Sequence, residues 1–168
     1  IVDLNGAGTG TGFEAEFRSL PVAIVGTTST VTDGDNANLS SLTAAITNFQ
    51  AGDTLDVTVS SGITKTFSAG VLTLRGSGTL SAYQTVLRTL IFNTTSTNST
   101  SRTIAVKAND GGGDGPVATA TVKIQLVTTP IIDLNGSASG TGFTAKFNAT
   151  PLAVVDPAGL TVTDIDSL

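Results

Sequence analysis

The chain has 168 residues, 39% hydrophobic, 12% charged and 5% aromatic, with 13 acids against 8 bases, a net charge of −5, and no Cys, His, Met or Trp. That is enough apolar material for one domain with a core, or one domain and part of another, and it excludes a disordered chain, which shows the opposite balance. Without His and Cys the commonest general base, the best nucleophile and the usual zinc ligands are gone; no Lys/Arg cluster offers nucleic acid a phosphate-binding surface; and apolar runs as short as Val22–Val25 cannot span a bilayer.

Thr, Val, Ser and Gly dominate, which points to pleated strands and turns. Phe13–Phe17 (FEAEF) alternates, placing both Phe and Ala15 on one face and Glu14 and Glu16 on the other. Val22–Val25 reads as a short buried strand. Leu42–Ile46 and Leu55–Val59 follow, separated by the turn Gln50–Asp53. Ile63–Phe67 alternates again and turns through Ser68–Gly70 into Val71–Leu74, a hairpin. Leu80, Tyr83, Val86, Leu87 and Leu90 share one helical face, so a short helix is expected across one end of the fold, capped by Ser81. Tyr83, the one tyrosine, is expected to anchor it with its hydroxyl at the rim. Strands resume at Leu90–Asn93, Thr103–Ala108 and Val117–Val127, the last with Ala118, Ala120, Val122, Ile124 and Leu126 on one face. About eight or nine short strands make this an all-β chain, a two-sheet sandwich with one helix.

An internal repeat organises the chain. Ile1–Phe17 reads IVDLNGAGTGTGFEAEF and Ile131–Phe147 reads IIDLNGSASGTGFTAKF. Pro21–Val25 is answered by Pro151–Val155, and Thr30–Asp35 (TVTDGD) by Thr161–Asp166 (TVTDID). Residues 1–130 therefore form one complete repeat, and 131–168 the N-terminal part of the next. The chain is expected to be an internal piece of a tandem array, with any secretion signal outside it.

The D-x-N element, the aromatic strand after it and the later D-x-D resemble cadherin-like modules. Together with YQTVLRTLIFN and NDG, they look like the cadherin-like repeats of large bacterial surface and adhesin proteins. The resemblance implies Greek-key sandwiches strung end to end, with junctions often stiffened by calcium. It also implies an extracellular or cell-surface, bacterial setting.

Acids without nearby bases are the main chemical feature. Calcium takes six to eight oxygen ligands, and Asp-x-Asn or Asp-x-Asp places two of them on one side of an extended backbone. Asp3, Asn5, Asp33 and Asp35 form an upstream set, and Asp133, Asn135, Asp164 and Asp166 a downstream one. In a cadherin-like junction the preceding module also contributes, and Asn109, Asp110 and Asp114 are its candidates. The competing reading is turn chemistry, since Asp and Asn form Asx-turns with no metal. The longer D-x-N-D-N linker and the D-R-E and P-E elements of animal cadherins are absent.

No enzyme is expected. Glu14 with Glu16, and Asp53 with Asp56, are carboxylate pairs of the kind a glycosidase uses, but they read as solvated acids. The expected function is a structural repeat of a surface adhesin or stalk, whose partners are neighbouring repeats. The alternatives are a fibre subunit sharing β-strands with other copies, and a ligand- or glycan-binding adhesin domain. Phe143–Phe147 and Leu152–Val155 are expected as strands. If ordered, they must pair with the preceding module or with another chain.

Overall fold

A computed structural model describes residues 1–60, 62–127 and 129–164. The chain divides into two compact units, Ile1–Leu126 and Val127–Leu168.

In the first unit the longest sheet has six strands. Their order is β2 (Phe13–Phe17), β11 (Ala118–Ile124), β10 (Arg102–Asn109), β5 (Asn38–Ile46), β8 (Val71–Thr79) and β7 (Thr64–Ser68). A second sheet runs β3 (Val22–Ala23), β9 (Ile91–Thr94) and β6 (Asp53–Asp56), while β1 (Val2–Asp3) pairs with β4 (Thr30–Val31). All neighbours are antiparallel except edge strand β2, which runs parallel to β11 with Ala15 opposite Val122 and Glu16 opposite Lys123.

Alternation explains the layers. On β10, Arg102, Ile104, Val106 and Ala108 are buried, and on β11 Ala118, Ala120, Val122 and Ile124, with intervening Thr and Lys turned outward. On β5 the period breaks at a bulge between Leu39 and Ser41, so Leu39 and Leu42 both reach the core although three residues apart. Side chains from both larger sheets join one hydrophobic cluster. Phe17 of β2 and Phe92 of β9 meet edge to face at 5.9 Å within it. Among the described residues the fold is all-β with one helix.

That helix, α1 (Leu80–Leu87), buries Tyr83, Val86 and Leu87. Its cap is Thr79, not Ser81: Thr79 has extended dihedrals and its Oγ1 accepts from the Ala82 N–H at 3.1 Å. The start lies earlier because β8 continues past Leu74 through Gly76 to Thr79. Gly76 has φ +136°, and a Cβ there would overlap the Gly62 carbonyl oxygen, so only glycine carries the strand round this corner. Tyr83 is not at the rim. It is fully buried and its hydroxyl donates to the Gly76 carbonyl at 2.7 Å, and burial raises its pKa. Leu126 lies beyond the end of β11 and is exposed.

In the second unit, β12 (Ile131–Asp133) pairs with β13 (Thr161–Thr163), Ile132 opposite Val162, as Val2 is opposite Val31 in β1 and β4. The turn bonds recur as well. Leu4 N–H donates to Thr11 O and Leu134 N–H to Thr141 O, both at 2.9 Å. Gly6 and Gly136 have φ +68° and +62°, and Ser19 and Ala149 have +73° and +64°. Phe143–Phe147 and Leu152–Val155 are not strands. A strand needs a ladder partner for its backbone groups. The counterparts β2 and β3 find theirs in β11 and β9. Among the described residues no helix is long and apolar enough to cross a membrane.

Candidate functional site

The β1–β4 pairing sets the geometry of the upstream acids. Thr32 and Ile1 exchange backbone bonds past the end of the ladder, so Asp33 lies just beyond Ile1. Asp3 sits opposite Thr30. Three residues of extended chain, on the order of 10 Å, separate Asp3 from the level of Asp33. The loop after β10 brings in Asp110. Carboxylate oxygens of Asp33, Asp35 and Asp110 lie within 4.8 Å of one another. Asp33 and Asp110 edge an open cleft of about 550 Å³ that Ile1, Thr32, Asp114 and Pro116 also line.

The three acids differ in how they are held. Asp110 Oδ1 accepts from the N–H groups of Gly112 and Gly113 at 2.8 and 3.2 Å, and Oδ2 from Asn36 Nδ2 at 2.7 Å. These donors, the Gly112 N–H foremost, hold its pKa below the ordinary carboxylate value. Asp35 is pushed the other way by the hydrogen bond and the negative charge of Asp33, with a smaller push from Asp110. Asp33 Oδ1 also accepts the Asp35 N–H at 3.4 Å. The Asp33 hydrogen bond favours the protonated form of Asp35, and the neighbouring negative charge adds to it.

The other candidates are engaged elsewhere. Asp114 accepts from Asn109 Nδ2 at 2.8 Å and from Lys107 Nζ, and these two lower its pKa. Asn109 Oδ1 accepts from the Gly111 N–H at 2.7 Å and from Ser40. Asp3 Oδ1 accepts the N–H groups of Asn5 and Gly6, both at 3.0 Å. Asn5 Nδ2 donates to Thr9 O, Gly10 O and Gly12 O at 3.2, 3.0 and 2.9 Å, closing its loop. Downstream, Asp133 accepts the Asn135 N–H at 2.9 Å and Asn135 Nδ2 donates to Ser139 O at 3.2 Å. Asn5 Oδ1 and Asn135 Oδ1 are both buried without a hydrogen-bond partner. Asp164 follows β13 where Asp33 follows β4; Asp166 lies outside the described residues.

Three carboxylates within reach of one cation can supply part of the six to eight oxygens calcium takes, leaving the rest to carbonyls or water. Their exposure suits a hard cation that keeps some of its water.

The carboxylate pairs resolve differently. Glu14 and Glu16 are exposed, Glu14 pairing with Lys123 at 3.0 Å. Asp56 is bound by Lys65 at 2.5 Å, and that hydrogen bond lowers its pKa. Asp53 is not a solvated acid. It is buried beside the buried Arg102, whose Nε donates to Oδ2 at 2.7 Å, while Thr94 Oγ1 donates to Oδ1 at 2.7 Å and the Gln50 N–H to Oδ2 at 2.9 Å. Arg102 also donates to Thr100 O and Asn98 O, tying the loop after β9 to the turn before β6. One sequence signal pointed there: Arg102 is in phase with Ile104 and Val106.

Comparison with protein-family models, curated proteins and solved structures found no match for this chain.

Proposed function

We propose that the chain is a structural, non-catalytic repeat module of an extracellular surface adhesin or stalk, with a cadherin-like Greek-key sandwich and calcium held by Asp33, Asp35 and Asp110. One observation carries it. The second repeat copies the first in backbone register and turn bonds as well as in sequence, as expected of one supersecondary unit used in tandem. The sandwich is supported by the chain's passage between the six-stranded and three-stranded sheets after β2, β5, β6, α1 and β9, over one shared core. Calcium is supported by the converging carboxylates at the Ile1 end of the first unit. There, neutralising Asp33 and Asp35 would remove their repulsion and fix the end of β4.

The test is thermal unfolding of the full chain and of residues 1–130, each with calcium and with excess chelator. Residues 1–130 are expected to melt as the main transition of the full chain does. Calcium at ten times its Kd adds about 1.4 kcal/mol by mass action, lost in Asp33→Ala with Asp35→Ala. An unfolded 1–130 would overturn the module reading, and an unshifted melt the calcium assignment.

A further inference from the structure

The loop after β1 is closed by a chemically labile pair of residues. Gly6 has φ +68°, and a Cβ there would lie 2.2 Å from the Thr28 carbonyl oxygen, so only glycine fits. Asn5 must keep its amide, because Nδ2 donates to Thr9 O, Gly10 O and Gly12 O. The fold therefore sets glycine directly after asparagine. In such a pair the glycine nitrogen can attack the asparagine Cγ with no side chain in its path. The N–Cγ bond forms, the Cγ–Nδ2 bond breaks, and ammonia leaves with the proton the nitrogen gives up. Water then opens the cyclic imide to aspartate or isoaspartate.

We propose that the DLNG loop is a gate on this self-modification of Asn5: closed, it blocks the attack, and open, it lets the reaction run. Each of the three reacting atoms is opposed by its surroundings. The nucleophile is held by Asp3, whose Oδ1 accepts the Gly6 N–H at 3.0 Å, and a carboxylate is too weak a base to remove that proton. Attack on Cγ drives negative charge onto Asn5 Oδ1, which then needs donors aimed at it. Asn5 Oδ1 is buried and has no donor among the described residues. The leaving Nδ2 must gain a proton to depart as ammonia. It faces three carbonyls, which have none to give. Those carbonyls also fix which amide atom is which, since an oxygen in place of Nδ2 would be repelled. The gate gives a role to a buried acceptor left unpaired, which folded chains rarely carry. The second unit builds the pair from the same parts. Asn135 Oδ1 is again buried without a donor among the described residues, and Asn135 Nδ2 donates to Ser139 O at 3.2 Å. Gly136 has φ +62°, and a Cβ there would lie 2.7 Å from Gly159 Cα. The reaction runs one way. A carboxylate in place of the Asn5 amide would face the same three carbonyls with nothing to donate, so a loop that has reacted cannot close as before.

The test follows amide loss at Asn5 in the full chain by peptide mapping with isoaspartate detection, at mildly alkaline pH, folded and in urea. Asn98 is the internal reference: it is exposed, Ser99 follows it, and its Oδ1 accepts the Thr100 N–H at 2.9 Å. A reaction that runs through an open state follows the population of that state, so unfolding should speed Asn5 by about tenfold or more. Asn98 should respond far less. Asp3 Oδ1 holds both the Asn5 and Gly6 N–H groups, so Asp3→Ala removes two bonds to a charged acceptor. It should speed Asn5 in the folded chain by about tenfold or more and leave Asn98 unchanged. Asp3→Asn keeps an acceptor of the same shape without the charge, and its rate should fall between those of Asp3→Ala and the native chain. Should Asp3→Ala fail to fold, Asp3→Asn carries the comparison, and its Asn5 rate must exceed the native one. Equal Asn5 rates in the folded and unfolded chain would overturn the proposal. So would an Asn5 rate that the Asp3 variants leave unchanged, or an equal gain at Asn98, which would mean that the whole unit had loosened. A slower reaction in Asp3→Ala would make Asp3 the base that drives the attack, and would overturn it as well.

Discussion

The buried pair Asp53–Arg102 offers the sharpest test of how the first unit is held together. Both side chains are fully withdrawn from water. The Asp53 carboxylate receives three donors, Arg102 Nε, Thr94 Oγ1 and the Gln50 N–H. Asp53→Ala leaves a guanidinium buried with only the Thr100 and Asn98 carbonyls as acceptors. Breaking a buried pair by removing one partner costs about 3–5 kcal/mol, a large share of the roughly 5–15 kcal/mol that holds a domain folded. Arg102→Ala leaves the carboxylate two donors and opens a cavity, so its cost should be similar. Thr94→Val removes one hydrogen bond to a charged group, about 1.5–3 kcal/mol. The double variant Asp53→Ala with Arg102→Ala should cost less than the sum of the singles by about 2 kcal/mol or more, because the second deletion removes the charge the first stranded. Urea unfolding followed by Tyr83, the one tyrosine in a chain without tryptophan, reads these differences as midpoint shifts at constant slope. An Asp53→Ala cost below about 1 kcal/mol, or additive singles, would refute the reasoning.

Two further predictions concern the acid cluster and the Gly76 corner. Asp35 has a raised pKa caused first by Asp33, so its ionised form opposes folding. That penalty is present above the raised value and fades as pH falls through it. Asp35→Asn should therefore raise the melting temperature at neutral pH in chelator, and the gain should vanish in acid. Asp110 has a lowered pKa caused first by the Gly112 N–H. Its contribution is present above the ordinary 3.8 and is lost as pH falls through the lower folded value, so Asp110→Asn should lower the neutral melting temperature. The same sign for both variants would refute the assignment. Gly76→Ala must overcome a φ of +136° and an overlap with the Gly62 carbonyl, whereas Gly10→Ala at φ +74° meets open space. The first should cost more than the second, about 2–3 kcal/mol against about 1, measured by urea unfolding. Equal costs would show that the Gly62 contact relaxes freely.

Alternation made β2, β10 and β11 readable from sequence, because each is covered on one face only. The parallel partnership of β2 with β11 was not readable: it joins Phe13–Phe17 to residues more than a hundred positions away, and both strands carry the same period in either direction. Leu39 was missed because the bulge before Ser41 shifts the period. The start of α1 was misplaced because Gly76 and Gly78 disguise the second half of β8. At the site, Asp33, Asp35 and Asp110 were visible in sequence as carboxylates in separate loops, but their convergence depends on where β4 and β10 end. The Asp53–Arg102 pair spans 49 residues, so only the in-phase arginine hinted at it.

The two repeated acidic elements divide their work. In DLNG, Asp3 and Asn5 spend their hydrogen bonds on their own loop, Asn5 Nδ2 alone holding three carbonyls, and Asp133 and Asn135 begin the same clamp. Copying that element along an array therefore copies a loop shape, which needs no ion. In TVTDGD, Asp33 and Asp35 crowd each other and Asp110 without a base in the cluster, whereas the neighbouring Asp114 has Lys107. Repulsion at the surface of a unit whose buried acid, Asp53, is fully matched by Arg102 is local charge that an external cation would neutralise. For this reason the proposed cation belongs with Asp33, Asp35 and Asp110, and the D-x-N motif serves as scaffold beside it.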